Sequence, residues 1–277
     1  MNELALFAGA GGGILGGKLL GWRTVCAVEW EPYPASVLCA RQNDGVLPPF
    51  PVWDDVQTFD GKPWQGIVDV VSGGFPCQDI SAAGKGEGID GKRSGMWKHF
   101  ARIIREVEPT FAFIENSPML RTRGLEVVLE DLAKMGYDAQ WGCYSAAEVK
   151  ANHKRDRMWI VARKVDNTNL SYGKRGWLSG GVQKEYSDAN CSSTYLADTQ
   201  NEGNVWRKWI MEFAKQEYNN RGGTIDGSGE WWKAEPNVGR VVDGVAARVD
   251  RLKAIGNGQV PLCAAVAFKQ LKDRFND

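Results

Sequence analysis

The chain has 277 residues, with 34 basic and 34 acidic side chains and a formal net charge of zero. This length suits one large domain, or one domain that carries a smaller insert. The balanced charge argues against a protein that binds nucleic acid through electrostatics alone. No apolar run approaches the roughly 20 residues that cross a bilayer, and the first residues lack a signal-peptide pattern, so we expect a cytoplasmic protein without a membrane partner.

Short apolar runs alternate with helix-like stretches through the first part of the chain. The helix-like stretches are 95–108 and 124–135, where apolar residues recur at helical spacing, and Pro261 opens a final helix. Five short runs bounded by Gly, Pro or charge have the pattern of buried strands: LALF (4–7), TVCAV (24–28), IVDVV (67–71), FAFI (111–114) and MWIVA (158–162). The alternation predicts an α/β fold in which helices cover both faces of a doubly wound, mostly parallel sheet.

The composition and periodicity of the sequence change after Lys164. Residues 165–240 are rich in Gly, Asn, Ser, Thr and Trp and show little sustained periodicity, and regular patterning returns near the end. We therefore predict a main domain made of residues 1–164 and 241–277. Residues 165–240 would form a small irregular domain inserted late in the chain.

The six cysteines do not form the close pairs that zinc sites usually show. No two of them lie within four residues of each other, and the chain has two histidines, His99 and His153. Structural zinc sites are typically built from Cys or His pairs two to four residues apart. We expect no metal.

A glycine-rich loop, FAGAGGG (7–13), follows the first predicted strand and precedes a helix-compatible run. Such a loop lets the backbone approach a ligand closely. Glu29 ends the second strand, where a carboxylate can accept both hydroxyls of a ribose, and Trp30 can stack on an adenine. Asp55, followed by Val56, can accept from an adenine amino group. The alternative is that Glu29 and Trp30 are surface residues at a strand end.

No phosphate-binding GK[ST] sequence accompanies this loop. An adenosine ligand without a phosphate chain therefore fits the sequence better than NAD or ATP.

A second group of residues favours nucleophilic chemistry. Cys77 lies in GGFPCQDIS (73–81), directly after a predicted strand, and Glu115 lies in FIENSP (113–118), after the next one. The carboxyl ends of adjacent parallel strands share one cleft. Arg155 and Arg157 precede the last strand and can supply the positive charge that stabilises a thiolate. The group suits attack on an electron-poor carbon while a ring nitrogen takes a proton.

These motifs resemble, in order along nearly all of the chain, those of the DNA (cytosine-5)-methyltransferases. GGFPCQDIS is similar to the Pro-Cys-Gln nucleophile motif of the family, and ENSP stands in place of Glu-Asn-Val. HKRDR (153–157) resembles Gln-x-Arg-x-Arg, and IGNGQVP (255–261) resembles the late Gly-Asn-Ser/Ala-x-x-Pro motif. The departures at Ser117, His153 and Gly258 remove no chemical group.

The resemblance implies the S-adenosylmethionine-dependent methyltransferase fold, with 165–240 as the target-recognition domain. It implies methyl transfer from S-adenosyl-L-methionine to C5 of a flipped-out cytosine, through a covalent bond between the catalytic thiol and C6. The implied catalytic residues are Cys77, Glu115, Arg155 and Arg157. The implied cofactor contacts are Phe7, Gly9, Gly11, Gly13, Glu29, Trp30, Asp55, Val56, Asp69, Pro76 and Asn257. The expected DNA contacts are Gln78, Ser81, Lys85, Lys92, Arg93, Arg175 and Arg207.

The expected partner is double-stranded DNA, bound by a monomer. The sequence leaves open whether a cognate restriction endonuclease exists. One alternative is a tRNA methyltransferase with the same catalytic residues. Such enzymes characteristically carry a Cys-Phe-Thr stretch, whereas residues 191–194 read Cys-Ser-Ser-Thr, which favours DNA. A second alternative is a catalytically inactive nucleic-acid-binding or inhibitory protein on the same scaffold. The presence of all four catalytic residues argues against it.

Overall fold

A seven-stranded sheet forms the centre of the protein, whose computed structural model describes residues 1–76, 94–165 and 248–276. The strand order is β3-β2-β1-β4-β5-β7-β6. The strands are β1 (Asn2–Leu6), β2 (Arg23–Val28), β3 (Val52–Trp53), β4 (Val70–Gly74), β5 (Phe111–Asn116), β6 (Tyr137–Ser145) and β7 (Asp156–Lys164).

The sheet is parallel except for β7, which runs antiparallel to both of its neighbours, β5 and β6. The chain builds outward from β1 through β2 to β3, then returns to place β4 on the other side of β1. The loops after β1 and β4 therefore diverge at a topological switch point, where open α/β sheets typically bind their ligands.

The described helices are α1 (Gly12–Leu19), α2 (Pro32–Asn43), α3 (Trp97–Val107), α4 (Leu120–Arg123), α5 (Leu125–Lys134), α6 (Arg248–Asn257) and α7 (Pro261–Asp273). Short 3-10 turns cover Lys62–Trp64 and Ser94–Met96. Helices α2 and α7 begin with Pro in their first turn, where the missing N–H costs no hydrogen bond.

Alternate residues of each strand point to opposite faces of the sheet, and each face is buried by helices. On one face Leu4 and Leu6 pack with Phe100 of α3 and Val128 of α5. On the other face Phe113 and Trp159 pack with Phe268 of α7, and Ala5 packs with Ile14 and Leu38 of α1 and α2. Helices on both faces confirm the predicted doubly wound α/β fold.

The sequence pattern missed several elements, among them β6 and α2, and it misplaced the start of β4. Strand β6 was not predicted, because its residues YDAQWGCYS mix polar and small side chains at the sheet edge. Helix α2 was not predicted either, since its apolar residues show no clear helical spacing. Strand β4 begins at Val70 rather than Ile67, because Ile67 is half exposed in the turn before the strand.

The predicted target-recognition domain, 165–240, lies outside the described residues apart from Val165. Within the described part of the chain, no helix is both long and apolar enough to span a membrane. The same residues contain no group of three or more His, Cys, Asp or Glu side chains arranged to hold a metal ion.

Candidate active site and cofactor cleft

A cleft opens at the switch point of the sheet. It is lined by the loop after β1, the end of β4, Glu115 at the end of β5, and the segment between α6 and α7. These elements are far apart in the sequence, and the parallel register of β1, β4 and β5 brings their carboxyl ends to one edge. Five of the predicted site residues line this cleft: Phe7, Gly9, Gly13, Glu115 and Asn257.

The glycine loop, residues 7–13, is tied to Glu29 at the end of β2. Gly9 has a φ of +56°, a left-handed conformation that glycine adopts without strain, and its N–H donates to Glu29 Oε2 at 2.6 Å. The N–H of Glu31 donates to Glu29 Oε1 at 2.7 Å. Both carboxylate oxygens keep further lone pairs, so the group can still accept hydroxyl donors.

Glu29 is buried, and this burial raises the pKa of its carboxyl group, an effect that the amides of Glu31 and Gly9 oppose. Trp30, next in the chain, has 67% of its surface exposed. An exposed indole beside a carboxylate can cover the face of a flat ring while the carboxylate holds its sugar.

The loop that carries Asp55 and Val56 is fixed to α3 by Arg102. The guanidinium of Arg102 donates to the carbonyls of Val56 at 2.8 Å and Phe59 at 2.9 Å, and it pairs with Glu106 at 2.8 Å. The side chain of Val56 is buried in the core, and Asp55 Oδ1 accepts from the N–H of Gln57 at 2.8 Å. Arg102 therefore holds the predicted adenine-binding loop against α3, a role that the sequence alone did not indicate.

Glu115 is the buried carboxylate of the cleft. Its Oε1 pairs with Arg157 Nε at 2.9 Å, and its side chain also forms a hydrogen bond with Gln259. Burial raises the pKa of the Glu115 carboxyl group, and the guanidinium groups of Arg157 and Arg155 oppose this rise. A buried carboxyl group whose pKa is raised in this way is suited to exchange a proton with a ligand.

Arg155 holds the end of α6. It has a φ of +38°, and its guanidinium donates to the carbonyl of Gly256 at 2.7 Å and to that of Gly258. These bonds place Asn257, which lies between the two carbonyls, at the rim of the cleft. Arg155 thus acts on the segment that carries Asn257, while Arg157 acts on Glu115.

Asn116 connects β5 to the end of β4. Its Nδ2 donates to the carbonyl of Phe75 at 3.1 Å, and its side chain is buried. Phe75 precedes Pro76, and residues 77–93 lie outside the described part of the chain. The backbone that leads to Cys77 is therefore anchored to the strand that carries Glu115.

Several predicted site residues lie outside the described part of the chain: Cys77, Gln78, Ser81, Lys85, Lys92, Arg93, Arg175 and Arg207. The structure does not bring Asp69 to the cleft. Asp69 precedes β4 at the opposite edge of the sheet, where its Oδ2 accepts from the backbone N–H of Asn2 at 2.6 Å. The predicted cofactor contact at Asp69 is wrong, since this carboxylate joins β4 to the start of β1.

Gln259 is a polar residue of the cleft that the sequence analysis did not single out. It lines the cleft beside Asn257 and contacts both the glycine loop and Glu115. The sequence contains only a weak indication of this role. Gln259 is a single amide side chain before the apolar start of α7, and it occupies an unspecified (x) position of the Gly-Asn-Ser/Ala-x-x-Pro motif.

Residues 1–249 match the family model described as C-5 cytosine-specific DNA methylase. The chain belongs to this family. The methylase relatives include the Type II methyltransferase M.Eco47II of Escherichia coli, which is 30% identical over 227 residues, covering 79% of this chain and 50% of the relative. The Type II methyltransferase M.PspPI of Psychrobacter sp. (strain TA137) is 34% identical over 176 residues, covering 61% of this chain and 41% of the relative. The chain thus spans about half the length of the curated methylases it matches.

A solved structure supports the fold of this chain. The Entamoeba histolytica methyltransferase EhMeth aligns with a TM-score of 0.51 and 17% identity, over 61% of this chain and 54% of that protein. At this level of identity the likeness concerns the fold alone. Together with the sheet order and the flanking helices, it identifies the Rossmann-like fold of S-adenosylmethionine-dependent methyltransferases.

Proposed function

We propose that this protein transfers a methyl group from S-adenosyl-L-methionine to C5 of cytosine in a specific sequence of double-stranded DNA. The observation that carries the proposal is the pairing of Glu115 with Arg157 at 2.9 Å, in the cleft that the glycine loop also lines. Family membership gives the class of base and carbon. The cleft supplies a binding region for an adenosine-type ligand beside a buried acid.

The residues of the cleft and of the strand ends beside it fit S-adenosyl-L-methionine. Glu29 is a buried carboxylate whose backbone donors leave lone pairs for two ribose hydroxyls, and exposed Trp30 can cover an adenine. The N-cap residue of α1 is Gly11, which has no side chain to cap the helix, and the glycine loop leads directly into this helix N-terminus, an end that favours anionic groups. Asp55 and Asn257 complete the expected contacts. When bound, the cofactor supplies a methyl group on a sulfonium centre.

The role of the protein is to make C5 of cytosine nucleophilic. The thiolate of Cys77 adds to C6, and this addition moves electron density towards C5 while Glu115 donates a proton or a hydrogen bond to N3. C5 then takes the methyl group, whose bond to the sulfonium sulfur breaks and leaves a neutral thioether. A base removes the C5 proton, the C6–S bond breaks, Cys77 leaves as the thiolate, and any proton held at N3 returns to Glu115.

The local structure supports this division of labour. Asn116 anchors the carbonyl of Phe75, two residues before Cys77, to the strand that carries Glu115. The raised pKa of Glu115 keeps a protonated carboxyl group accessible, and Arg157 fixes the direction of the side chain. The reacting atoms are unreachable inside a stacked duplex, so the target base must be flipped out at a cost of a few kcal/mol.

Target recognition is assigned to 165–240, with Arg175 and Arg207 as contacts. Gln78, Ser81, Lys85, Lys92 and Arg93, which follow the nucleophile in the sequence, are assigned to DNA. The protein acts as a monomer in this proposal.

The test is a covalent trap. A duplex with 5-fluorocytosine at the target position is incubated with the protein and S-adenosylmethionine. Fluorine cannot leave C5 as a proton does, so the thioether at C6 persists and protein and DNA remain joined on a denaturing gel. Mass spectrometry should locate the adduct at Cys77, and bisulfite sequencing of DNA from expressing cells gives the target sequence.

Two variants and one substrate serve as controls for the trap. Cys77→Ser should abolish the adduct, because an unactivated hydroxyl is a far poorer nucleophile. Glu115→Gln should slow it by about 100- to 10,000-fold, as for loss of one acid–base group. An adduct on another cysteine refutes the mechanism. A preference for fluorinated tRNA over DNA refutes the substrate, and no adduct with either indicates a binding protein without this activity.

A further inference from the structure

Gln259 lies where the cofactor side and the catalytic side of the cleft meet. Its backbone carbonyl packs against Gly12, and its side-chain Oε1 packs against Gly13, so closely that a Cβ at either glycine would collide with it. Its Nε2 lies 3.1 Å from the point where a Cβ on Gly74 would be. The side chain therefore reaches from the glycine loop to the end of β4.

The same side chain holds Glu115. A Cβ on Gly74 would also collide with Glu115 Oε2, so this oxygen and Gln259 Nε2 lie together over Gly74. Gln259 forms a side-chain hydrogen bond with Glu115, and in such a pair the amide N–H donates to the carboxylate. Arg157 Nε takes the other oxygen, Oε1. Each oxygen of Glu115 thus faces a separate donor.

We propose that Gln259 is a positioning residue that holds the Glu115 carboxyl group for its contact with the cytosine ring and links it to the glycine loop. The inference rests on the proposed function and deepens it. A single donor at Oε1 leaves the carboxyl group free to rotate about its last torsion, whereas a second donor at Oε2 fixes its plane. The close packing of Gln259 against Gly12 and Gly13 of the glycine loop keeps its own side chain in place.

The charged and titratable groups that face Glu115 come from two sides. Arg155 and Arg157 approach from the start of β7, and the thiol of Cys263 on α7 interacts with it electrostatically. Substituting Gln259 leaves all three of these groups in place. A change in the pH dependence of the reaction would then report on the lost hydrogen bond.

The test uses Gln259→Met, which keeps the length of the side chain and removes its donor. Single-turnover methylation of a target duplex is measured from pH 6 to pH 9 at saturating S-adenosylmethionine. The rate near pH 7 should fall on the order of tenfold, as for loss of one hydrogen bond to a charged group. Loss of a donor to the carboxylate raises the pKa of Glu115, so the alkaline fall in rate should move to higher pH.

Gln140→Met is the matched control, since Gln140 is half-buried on β6 and lies outside the cleft. It should keep the wild-type rate and pH profile. Gln259→Glu is the second variant. Its side chain donates only when protonated, so its rate relative to wild type should fall as the pH rises.

The outcomes separate the two proposals. A Gln259→Met rate that falls equally at every pH, or a loss confined to cofactor affinity, overturns the positioning role. A Gln259→Glu rate in constant ratio to wild type overturns it as well. If the wild-type protein methylates no DNA, the proposed function is refuted and this role with it. If the wild type is active and Gln259→Met has the same rate and pH profile, this role alone is refuted.

Discussion

Glu3 is a carboxyl group buried in the middle of the sheet, and its replacement by glutamine should stabilise the protein above neutral pH. It has no exposed surface. Ser72 Oγ of β4 donates to its Oε1 at 2.6 Å, and Thr24 Oγ1 of β2 donates to its Oε2 at 2.7 Å. Burial raises the pKa of Glu3 to about 7, an effect that the two hydroxyl donors oppose.

The magnitude follows from the difference between the folded and unfolded pKa values. In the unfolded chain the carboxyl group has its ordinary pKa of 4.5. Because the folded pKa is the higher one, the contribution to stability is fully present below pH 4.5 and is lost as the pH rises through about 7. Each pKa unit corresponds to about 1.4 kcal/mol, so the charged form costs roughly 3 kcal/mol at pH 8.

Glu3→Gln imitates the protonated group at every pH. Its amide can accept from one hydroxyl and donate to the other, since hydroxyl groups reorient. The free energies of unfolding of wild type and Glu3→Gln, from urea denaturation, should be similar near pH 5 and differ by about 3 kcal/mol at pH 8. The exposed carboxyl group of Glu126 on α5 gives the control, and Glu126→Gln should change stability by less than about 1 kcal/mol. A difference that does not vary with pH would refute the reasoning.

Two further predictions concern the cleft. Glu29→Ala should weaken S-adenosylmethionine binding by about 1.5–3 kcal/mol, because two hydroxyl donors lose a charged acceptor; calorimetry that finds wild-type affinity in the folded variant contradicts the ribose contact. Gly74→Ala should slow single-turnover methylation on the order of 100-fold, because an added Cβ collides with the Glu115 carboxylate and displaces it. A Gly74→Ala protein that reacts at the wild-type rate would show that the position of this carboxylate is unimportant.

Much of the fold follows from local sequence signals. The apolar runs of β1, β2, β5 and β7 are short, lie between Gly, Pro or charged residues, and become strands because both faces of the sheet are buried. Helix α3 was equally clear, since its buried side chains recur at helical spacing. The edge strand β6 escaped prediction because its outer side chains face solvent, and its pairing with β7 depends on contacts that are distant in sequence for most of its length.

The site was predictable to the extent that chemistry requires a particular residue type. A thiol, a carboxyl group and two guanidinium groups are recognisable by type and order, and the structure brings Glu115, Arg155 and Arg157 together. Residues that only orient these groups give a weaker signal. Arg102 and Gln259 act through backbone carbonyls and a neighbouring side chain, and such contacts depend on packing that the sequence does not display.

The antiparallel direction of β7 decides how the arginines reach the site. Glu115 follows the body of β5, whereas Arg155 and Arg157 stand at the beginning of β7, and in an entirely parallel sheet the beginning and end of neighbouring strands lie at opposite edges. Because β7 runs antiparallel to β5, Glu115 pairs in register with Trp159 and Asn116 with Met158. The start of β7 is thereby placed beside the end of β5, and Arg157 meets Glu115 at 2.9 Å. The carboxylate lies at the end of one strand and the arginines lie at the start of another. These groups can form one site only because the second strand runs antiparallel to the first.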